Sequence, residues 1–168
     1  MACEITTGRA KLCHEGQGGN KAVYIFNYLE DPFTIVAGVA TAINVALTVV
    51  YKFYIEGDLN TYAQDVQPTN IGSTVNTQTL TVNLPKQTAT DSANLNLLAY
   101  GSAMAVVEDR NGVYHAAFVD DGALWQVQAN TGGAKAEGNG YTVIALGTTG
   151  ALAPQLDAAT ITAFLALV

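Results

Sequence analysis

Apolar side chains occupy every second position from Ile43 to Ile55, and this alternation is the strongest constraint on the fold. The opposite positions include Asn44, Thr48 and Lys52. Because successive side chains of a strand point to opposite faces, the pattern predicts one long β-strand, whereas a helix would distribute the same residues around its axis. At about 3.3 Å per residue, the strand would extend roughly 40 Å. A bend of this strand near Val50 is compatible with the pattern.

Further strand signals predict a mainly β chain. Residues 76–84 alternate again, and we expect them to pair with residues 43–55 as a long hairpin. Between them, residues 57–75 contain Gly, Pro, Asn and Asp at several positions, which predicts a long loop that becomes ordered only against another subunit. The other predicted strands are residues 22–29, 103–107, 113–119, 123–129 and 141–146, and the apolar tail 161–168 fits either a last strand or a short helix.

Residues 88–100 carry the signals of a helix. Thr88 or Thr90 can cap the first turn, Asp91 lies where the helix dipole favours an anion, and Gly101 follows the last turn. Two apolar stripes at helical spacing predict one face against the sheet and one against a neighbouring subunit. The stripes are Ala93, Leu97 and Tyr100 on one side and Leu95, Leu98 and Ala99 on the other.

The turn at residues 109–112 contains Asn111-Gly112, which predicts a type I′ hairpin between the strands on either side. Together these elements predict a single mainly β domain, a β-sandwich or barrel-like fold, over residues 21–168. The domain would have one short α-helix and a long hairpin loop. Residues 1–20, which are rich in glycine, are expected to form an amino-terminal arm.

The composition favours a protein that is covered by copies of itself. Hydrophobic residues make up 49% of the chain and charged residues only 12%, against about 25% charged in an average globular domain. A monomer with so few charges would expose much apolar surface, so burial between subunits is the natural explanation. Seven basic residues stand against fourteen acidic ones, and without a basic stripe the chain is not expected to grip nucleic acid through phosphate contacts.

Membrane insertion and secretion have little support in the sequence. Residues 33–51 form a run of 19 uncharged residues, close to the length of a membrane helix. The run contains Thr34, Thr41, Asn44 and Thr48, and its second half has the period of a strand. The amino terminus lacks signal-peptide character, so we expect neither a membrane span nor a secretion signal.

No pattern of ligating residues predicts a metal or nucleotide site. Cys3 and Cys13 are the only cysteines, and with His14 they supply three ligands where a closed zinc site needs about four. Two ordinary thiols, able to pair outside the cytoplasm, are the simpler interpretation. The segment from Asp109 to Gly112 resembles the start of a calcium loop but lacks the closing glutamate. The glycines at 16, 18 and 19 do not form a dinucleotide-binding motif.

Catalytic arrangements are equally absent from the pattern. The acidic pairs Glu108-Asp109 and Asp120-Asp121 lie beside turns, where solvated carboxylates are common. His115 lies within a predicted strand and is expected to be a hydrogen-bonded structural histidine. We therefore predict no catalytic, cofactor-binding or metal-binding residue, and a protein that is not an enzyme.

Several segments together resemble the tail tube proteins of tailed bacteriophages, over residues 43–154. They are the long hairpin of residues 43–84 with its polar loop, the helix of residues 88–100, and the strings VVEDRNGVYHAAFV and GNGYTVIALG. The opening CEITTGRAKLC and the following GGNKAVYIFNY also resemble phage structural proteins. The uncharged segment 33–42 departs from the resemblance, because it has no clear role in a minimal tube subunit.

The resemblance implies a virion structural protein that is assembled in the host cytoplasm. It would self-associate into stacked hexameric rings, contact other virion structural proteins, and surround a lumen through which DNA passes without specific binding. Residues 58–75 would be the loop that contacts the adjacent ring, and residues 3–19 a second linker. The acidic balance predicts a lumen that repels phosphate, with Glu56, Asp58, Asp65, Glu108 and Asp109 as candidate lining residues.

Two alternatives remain open. A small, acidic, threonine-rich β domain also suits a capsid decoration or head–tail connector protein of a tailed phage. A carbohydrate-binding module would need exposed aromatic residues in a groove. Against the module, Trp125 is the only tryptophan, and the aromatic residues of the alternating strands are expected to be in the core. These are Tyr51, Phe53, Tyr114 and Phe118.

Overall fold

A computed structural model describes residues 7–9, 16–55, 57–69, 71–134 and 137–168. The described residues form eleven strands and two helices, and the prediction of a mainly β domain is confirmed. The strands are β1 (Asn20–Phe26), β2 (Phe33–Val36), β3 (Val39–Ile43), β4 (Tyr51–Tyr54), β5 (Thr61–Pro68), β6 (Thr74–Pro85), β7 (Met104–Asp109), β8 (Tyr114–Ala117), β9 (Leu124–Asn130), β10 (Gly140–Thr149) and β11 (Gln155–Leu156). The helices are α1 (Ala89–Tyr100) and α2 (Ala158–Leu165).

The strands form two sheets. One has seven strands in the order β2-β3-β11-β8-β7-β1-β4, and the other has four in the order β5-β6-β10-β9. One core cluster contains buried residues of both sheets, such as Val23 of β1 and Val143 of β10. The other face of the seven-stranded sheet packs against α2, where the fully buried ring of Phe164 lies 5.6 Å from that of Tyr24.

The predicted long strand over residues 43–55 is wrong. β3 ends at Ile43 and β4 begins at Tyr51, and a local turn follows Asn44. The Asn44 side-chain oxygen accepts a hydrogen bond from the Ala46 amide at 3.0 Å, and its carbonyl accepts one from Leu47 at 2.9 Å. Asparagine side chains often bond the backbone of nearby residues in this way, and this local interaction competes with the extended strand that the alternation of apolar residues predicts.

The predicted loop over residues 57–75 is also wrong. It contains β5, which pairs antiparallel with β6 from Thr61 opposite Thr81 to Pro68 opposite Thr74. β6 therefore pairs with β5 and β10, whereas β4 pairs with β1. The expectation that this segment becomes ordered only against another subunit fails for β5, because its partner lies in the same chain.

The predicted long hairpin between residues 43–55 and 76–84 is wrong, because β4 and β6 lie in different sheets, whereas the predicted helix over residues 88–100 and the hairpin around residues 109–112 are confirmed with one correction. Thr88 caps α1 by accepting the Asp91 amide hydrogen at 3.0 Å. β7 and β8 form the hairpin, but only Gly112 has positive φ in its turn, so the type I′ assignment is wrong. An αL glycine at this point is typical of a three-residue hairpin loop.

The prediction of a single helix is wrong, because the apolar tail forms α2, the helical option of the two considered. Asp157 caps this helix, and the amide hydrogen bond that its carboxylate accepts from Thr160 holds its pKa below the usual range. Within the described residues, no helix is long and apolar enough to cross a membrane. β1 begins at Asn20, inside the predicted arm; residues 1–6 and 10–15, including Cys3, Cys13 and His14, lie outside the described residues.

Candidate assembly surfaces

Glu108 is not the solvated carboxylate that the sequence predicted. It is 4% exposed, its Oε1 lies 2.7 Å from Lys21 Nζ, and its Oε2 accepts a hydrogen bond from the Tyr24 hydroxyl at 2.9 Å. Burial raises the pKa of Glu108, but the hydrogen bonds from Lys21 and Tyr24 and the charge of Lys21 outweigh it and lower the pKa overall. Because the side chain of Glu108 is buried inside the domain, Glu108 does not belong among the acidic residues that were expected to line a lumen.

The other residues that the sequence offered as possible catalytic groups lie near turns and contact neighbouring parts of the backbone or each other. Asp109 accepts the amide hydrogens of Asn111 and Val113 at 2.8 and 2.9 Å, and so holds the turn of the β7–β8 hairpin. His115 Nε2 lies 3.7 Å from Asp109 Oδ2, which is beyond hydrogen-bonding distance, so the hydrogen-bonded role expected of this histidine stays a prediction. Asp120 accepts the Gly150 amide hydrogen at 2.9 Å. Among the described residues, no three His, Cys, Asp or Glu side chains are grouped to hold a metal.

The outer face of the four-stranded sheet is rich in threonine and almost uncharged. Register places Thr61, Thr81, Ile144 and Gln126 in one cross-strand row, and Ala63, Thr79, Leu146 and Leu124 in the next. A third row holds Asp65, Thr77 and Thr148. Asp65 is the single charged residue of these rows, and it is exposed. A face of this kind offers weak hydrogen-bonding groups and no cation to attract phosphate.

Both edges of this sheet are open within the described part of the chain. β5 pairs only with β6, and β9 only with β10. All neighbouring strands of the sheet are antiparallel, so β5 and β9 at its two edges run in opposite directions. Unpaired edges are templates for pairing with another chain. Since β5 has eight residues and β9 seven, the two edges are also matched in length.

A groove lies between α1 and the ends of β1 and β4. Its volume is about 570 Å³, and its lining combines apolar side chains such as Ile25, Phe53 and Leu98 with polar groups at the rim. Tyr51, predicted to lie in the core, is 56% exposed at this rim, whereas Tyr114 and Phe118 are buried as predicted. Among the described residues, none that lines the groove is charged.

The two apolar stripes of α1 are separated as the sequence predicted. Leu95 is 2% exposed and Leu98 packs against the core, so this stripe covers the domain's own sheets. Leu97 and Tyr100 are 71% and 90% exposed, and Leu97 also lines the groove. The exposed stripe thus lies beside the groove, and together they form a continuous surface that no described residue covers. The groove itself has no sequence signal, because α1, β1 and β4 are brought together only by the fold.

Comparison with known proteins adds no relative. No protein-family model, no curated protein and no solved structure matches this chain.

Proposed function

We propose that this protein is a virion structural protein, a tail tube subunit of a tailed phage that self-assembles into stacked rings around a DNA conduit. The observation that carries the proposal is the four-stranded sheet, which, as far as the described residues show, has two open edges and an outer face with a single charge, that of Asp65. The partners would be further copies of this chain, other virion structural proteins, and DNA that passes without being held.

The two edge strands support closure into a ring. In a cyclic arrangement, β9 of one copy would meet β5 of the next, and their opposite directions make that pairing antiparallel, like every other pairing in the sheet. Such a head-to-tail interface closes when the rotation between copies fits a whole number of subunits. Closure would remove all open edges of this sheet, which otherwise favour uncontrolled aggregation.

The dimensions are consistent with a DNA conduit. Six copies with four strands each would close about 24 strands, and at about 4.8 Å per strand the circumference would be roughly 115 Å before strand tilt enlarges it. That circumference corresponds to a backbone diameter of roughly 37 Å. Side chains narrow this bore and tilt widens it, which leaves room for a double helix.

The chemistry of the outer face fits passage without adhesion. Threonine, glutamine and aliphatic side chains would face the DNA, and Asp65 is the only member of the predicted acidic lining that lies in these rows. Asp58 is exposed but lies 3.3 Å from Arg110, and Glu56 lies outside the described residues. The lumen would therefore be weakly acidic, with a repulsion of phosphate that salt reduces.

Proline scanning of β5 tests ring closure. Of the neighbouring residues Asp65 and Val66, one amide points towards β6 and the other points outward, because strand geometry alternates. Asp65→Pro and Val66→Pro should therefore differ: one should lower the melting temperature, and the other should keep it and abolish rings in negative-stain images. A fold-preserving proline variant that still forms rings would contradict the β5–β9 closure.

The wild-type protein tests the function itself. Stacked rings or tubes of the purified protein would support a tail tube, whereas a capsid decoration or head–tail connector protein would form neither tubes nor stacks by itself. A monodisperse monomer in analytical ultracentrifugation at high concentration, both purified and in virion extracts, would refute the proposal. Tight, salt-sensitive binding of DNA by the assembled protein would refute the non-adhesive lumen.

A further inference from the structure

The walls of the groove beside α1 are fixed by contacts within the fold. The carbonyl oxygen of Ala103, a lining residue, accepts the Trp125 indole hydrogen at 2.9 Å and the Ala123 amide hydrogen at 3.1 Å. The Gly101 amide donates to the Leu98 carbonyl at 3.2 Å and so holds the end of the helix at the groove. With its volume of about 570 Å³, the groove has the size and the fixed walls of a preformed site for a small molecule.

Polar side chains of this groove have hydrogen-bonding capacity that the fold does not use. Asn27, Asn94 and Ser102 line the groove and are exposed. Within the described part of the chain, none of these three side chains forms a hydrogen bond with another residue. A side-chain amide supplies donors and an acceptor, and a hydroxyl supplies both from one oxygen. These groups match a ligand whose own groups donate and accept, as the hydroxyl groups of a sugar do.

Aromatic side chains of the groove supply an apolar surface for such a ligand. Tyr28 and Tyr51 are 49% and 56% exposed, and Phe53 is half-buried in the same lining. Tyr51 and Phe53 lie two positions apart on β4, so their side chains share one face of the sheet. The C–H groups of a sugar ring can pack against such rings while its hydroxyl groups remain free to bond at the edge. The exposure of Tyr51 thus removes the sequence argument that this tyrosine lies in the core.

The charge of the groove restricts the class of ligand. The described lining residues are all neutral, although the whole chain carries a net charge of −7. A phosphate or carboxylate ligand would lack the cation that normally pairs with it. A purely apolar ligand would cover the three polar side chains without satisfying them, which is unfavourable. A neutral ligand rich in hydroxyl groups fits best.

A peptide fits less well than a sugar. A peptide adds to an open strand edge through a row of backbone groups. The free groups of the groove are instead side chains from three separate places: Asn27 follows β1, Asn94 lies on α1, and Ser102 lies between α1 and β7. Separate side chains that converge on one groove suit a compact ligand with hydroxyl groups on several sides.

We infer that the groove beside α1 binds a neutral saccharide. The sugar ring packs on Tyr28 and Tyr51, and its hydroxyl groups bond to Asn27, Asn94 and Ser102. The inference goes beyond the proposed function and does not depend on it, because none of the described lining residues belongs to β5 or β9, the strands whose edges would close the ring. A ring would carry one groove on each copy, and several weak sites together bind a polysaccharide more tightly than one.

Calorimetric titration of the full chain measures the binding directly. The probes are short neutral oligosaccharides of glucose, of galactose and of N-acetylglucosamine, together with sulfated forms of the same sugars. We expect at least one neutral probe to bind with a dissociation constant of roughly 0.1–1 mM and its sulfated form to bind more weakly. The inference is overturned if no neutral probe binds at about 10 mM, or if the sulfated forms bind more tightly.

Two asparagines of α1 provide a matched pair of variants. Asn94 and Asn96 are both exposed on the same helix, but only Asn94 lines the groove. Asn94→Ala should weaken sugar binding about threefold to tenfold through one lost hydrogen bond, and Asn96→Ala should leave it unchanged. Equal effects of the two variants, or no effect of either, would place the sugar elsewhere and overturn the inference.

Two tyrosines of β4 test the aromatic contact in the same way. Tyr51→Ala should weaken sugar binding about tenfold or more, because it removes the ring on which the sugar packs. Tyr54 is 74% exposed on the same strand and does not line the groove, so Tyr54→Ala should bind as the wild type does. Melting temperatures of the variants show whether each is folded, and if Tyr51→Ala is not, the asparagine pair decides. Unchanged binding by a folded Tyr51→Ala variant would contradict the inference.

The outcomes separate this inference from the proposed function. If the protein forms rings but binds no neutral sugar, the inference fails and the tube proposal stands. If a monomeric protein binds the sugar with the expected dependence on Asn94 and Tyr51, the inference stands and the tube proposal fails. If extended peptides bind in place of sugars, and Tyr51→Ala weakens their binding, the groove is a peptide site and the inference is wrong.

Discussion

Replacing Gln78 by leucine should destabilise the protein more than most single substitutions, because this side chain joins the two sheets. Gln78 lies on β6 and is fully buried. Its Nε2 donates to Thr149 Oγ1 on β10 at 2.9 Å, and its Oε1 accepts the Phe118 amide hydrogen at 2.8 Å. Phe118 follows β8 of the other sheet and has a φ of 61°, a conformation that is unfavourable for a residue with a side chain.

The magnitude follows from the bonds that leucine cannot make. A buried amide without an acceptor costs about 1–3 kcal/mol, which applies to Phe118, and the lost bond to Thr149 adds about 1 kcal/mol. Leucine fills a similar volume, so the cavity term is small. We therefore expect the free energy of unfolding of Gln78→Leu to fall by about 2–4 kcal/mol. For a chain of this size the melting temperature should fall by roughly 5–15 °C.

Urea unfolding followed by tryptophan fluorescence measures this directly. The single tryptophan, Trp125, is 5% exposed and its ring lies 6.3 Å from that of Phe118, so it reports on the core next to the changed bond. Thr77→Val is the matched control, because Thr77 is the exposed neighbour on the same strand and its change should stay within about 0.5 kcal/mol. A Gln78→Leu variant as stable as this control would refute the bridging role of Gln78.

The elements that the sequence predicted correctly depend on interactions within a few residues. Thr88 and Asp91 lie three positions apart and define the start of α1 by themselves. The β7–β8 hairpin follows from a turn with Gly112 between two apolar runs, and only the turn type required φ values that the sequence does not display. Local signals of this kind are readable because both interacting groups lie within a few residues of each other in the sequence.

Several of the failures involve partners far away in the chain. β5 looks like a loop because its polar side chains face water, and what makes it a strand is the ladder with β6. Glu108 looks solvated because it adjoins a turn, but Lys21, 87 positions away, pairs with it in the folded chain. The groove beside α1 needs three elements at once. Sequence therefore predicted the fold class and the exposed stripe of α1, but not the surfaces on which assembly would depend.

Three further substitutions test particular contacts. Phe164→Ala should cost about 3–5 kcal/mol in urea unfolding, because the fully buried ring of Phe164 fills the core beneath α2; a loss below about 1 kcal/mol would contradict that packing. Gly122→Ala should lower the melting temperature more than Gly112→Ala. Both glycines have positive φ, but only at Gly122 would the new Cβ overlap backbone, so equal losses would contradict the close contact. Glu108→Gln should remove an acid-dependent part of the stability. The pKa of Glu108 is lower in the folded chain than the ordinary value of 4.5, so its ionised form stabilises the fold above that value and this contribution is lost as the pH falls through the folded pKa. The difference in free energy of unfolding between wild type and Glu108→Gln should therefore be largest near neutral pH and shrink towards about pH 3. A difference that stays constant over this range would mean that the carboxylate gains nothing from Lys21 and Tyr24.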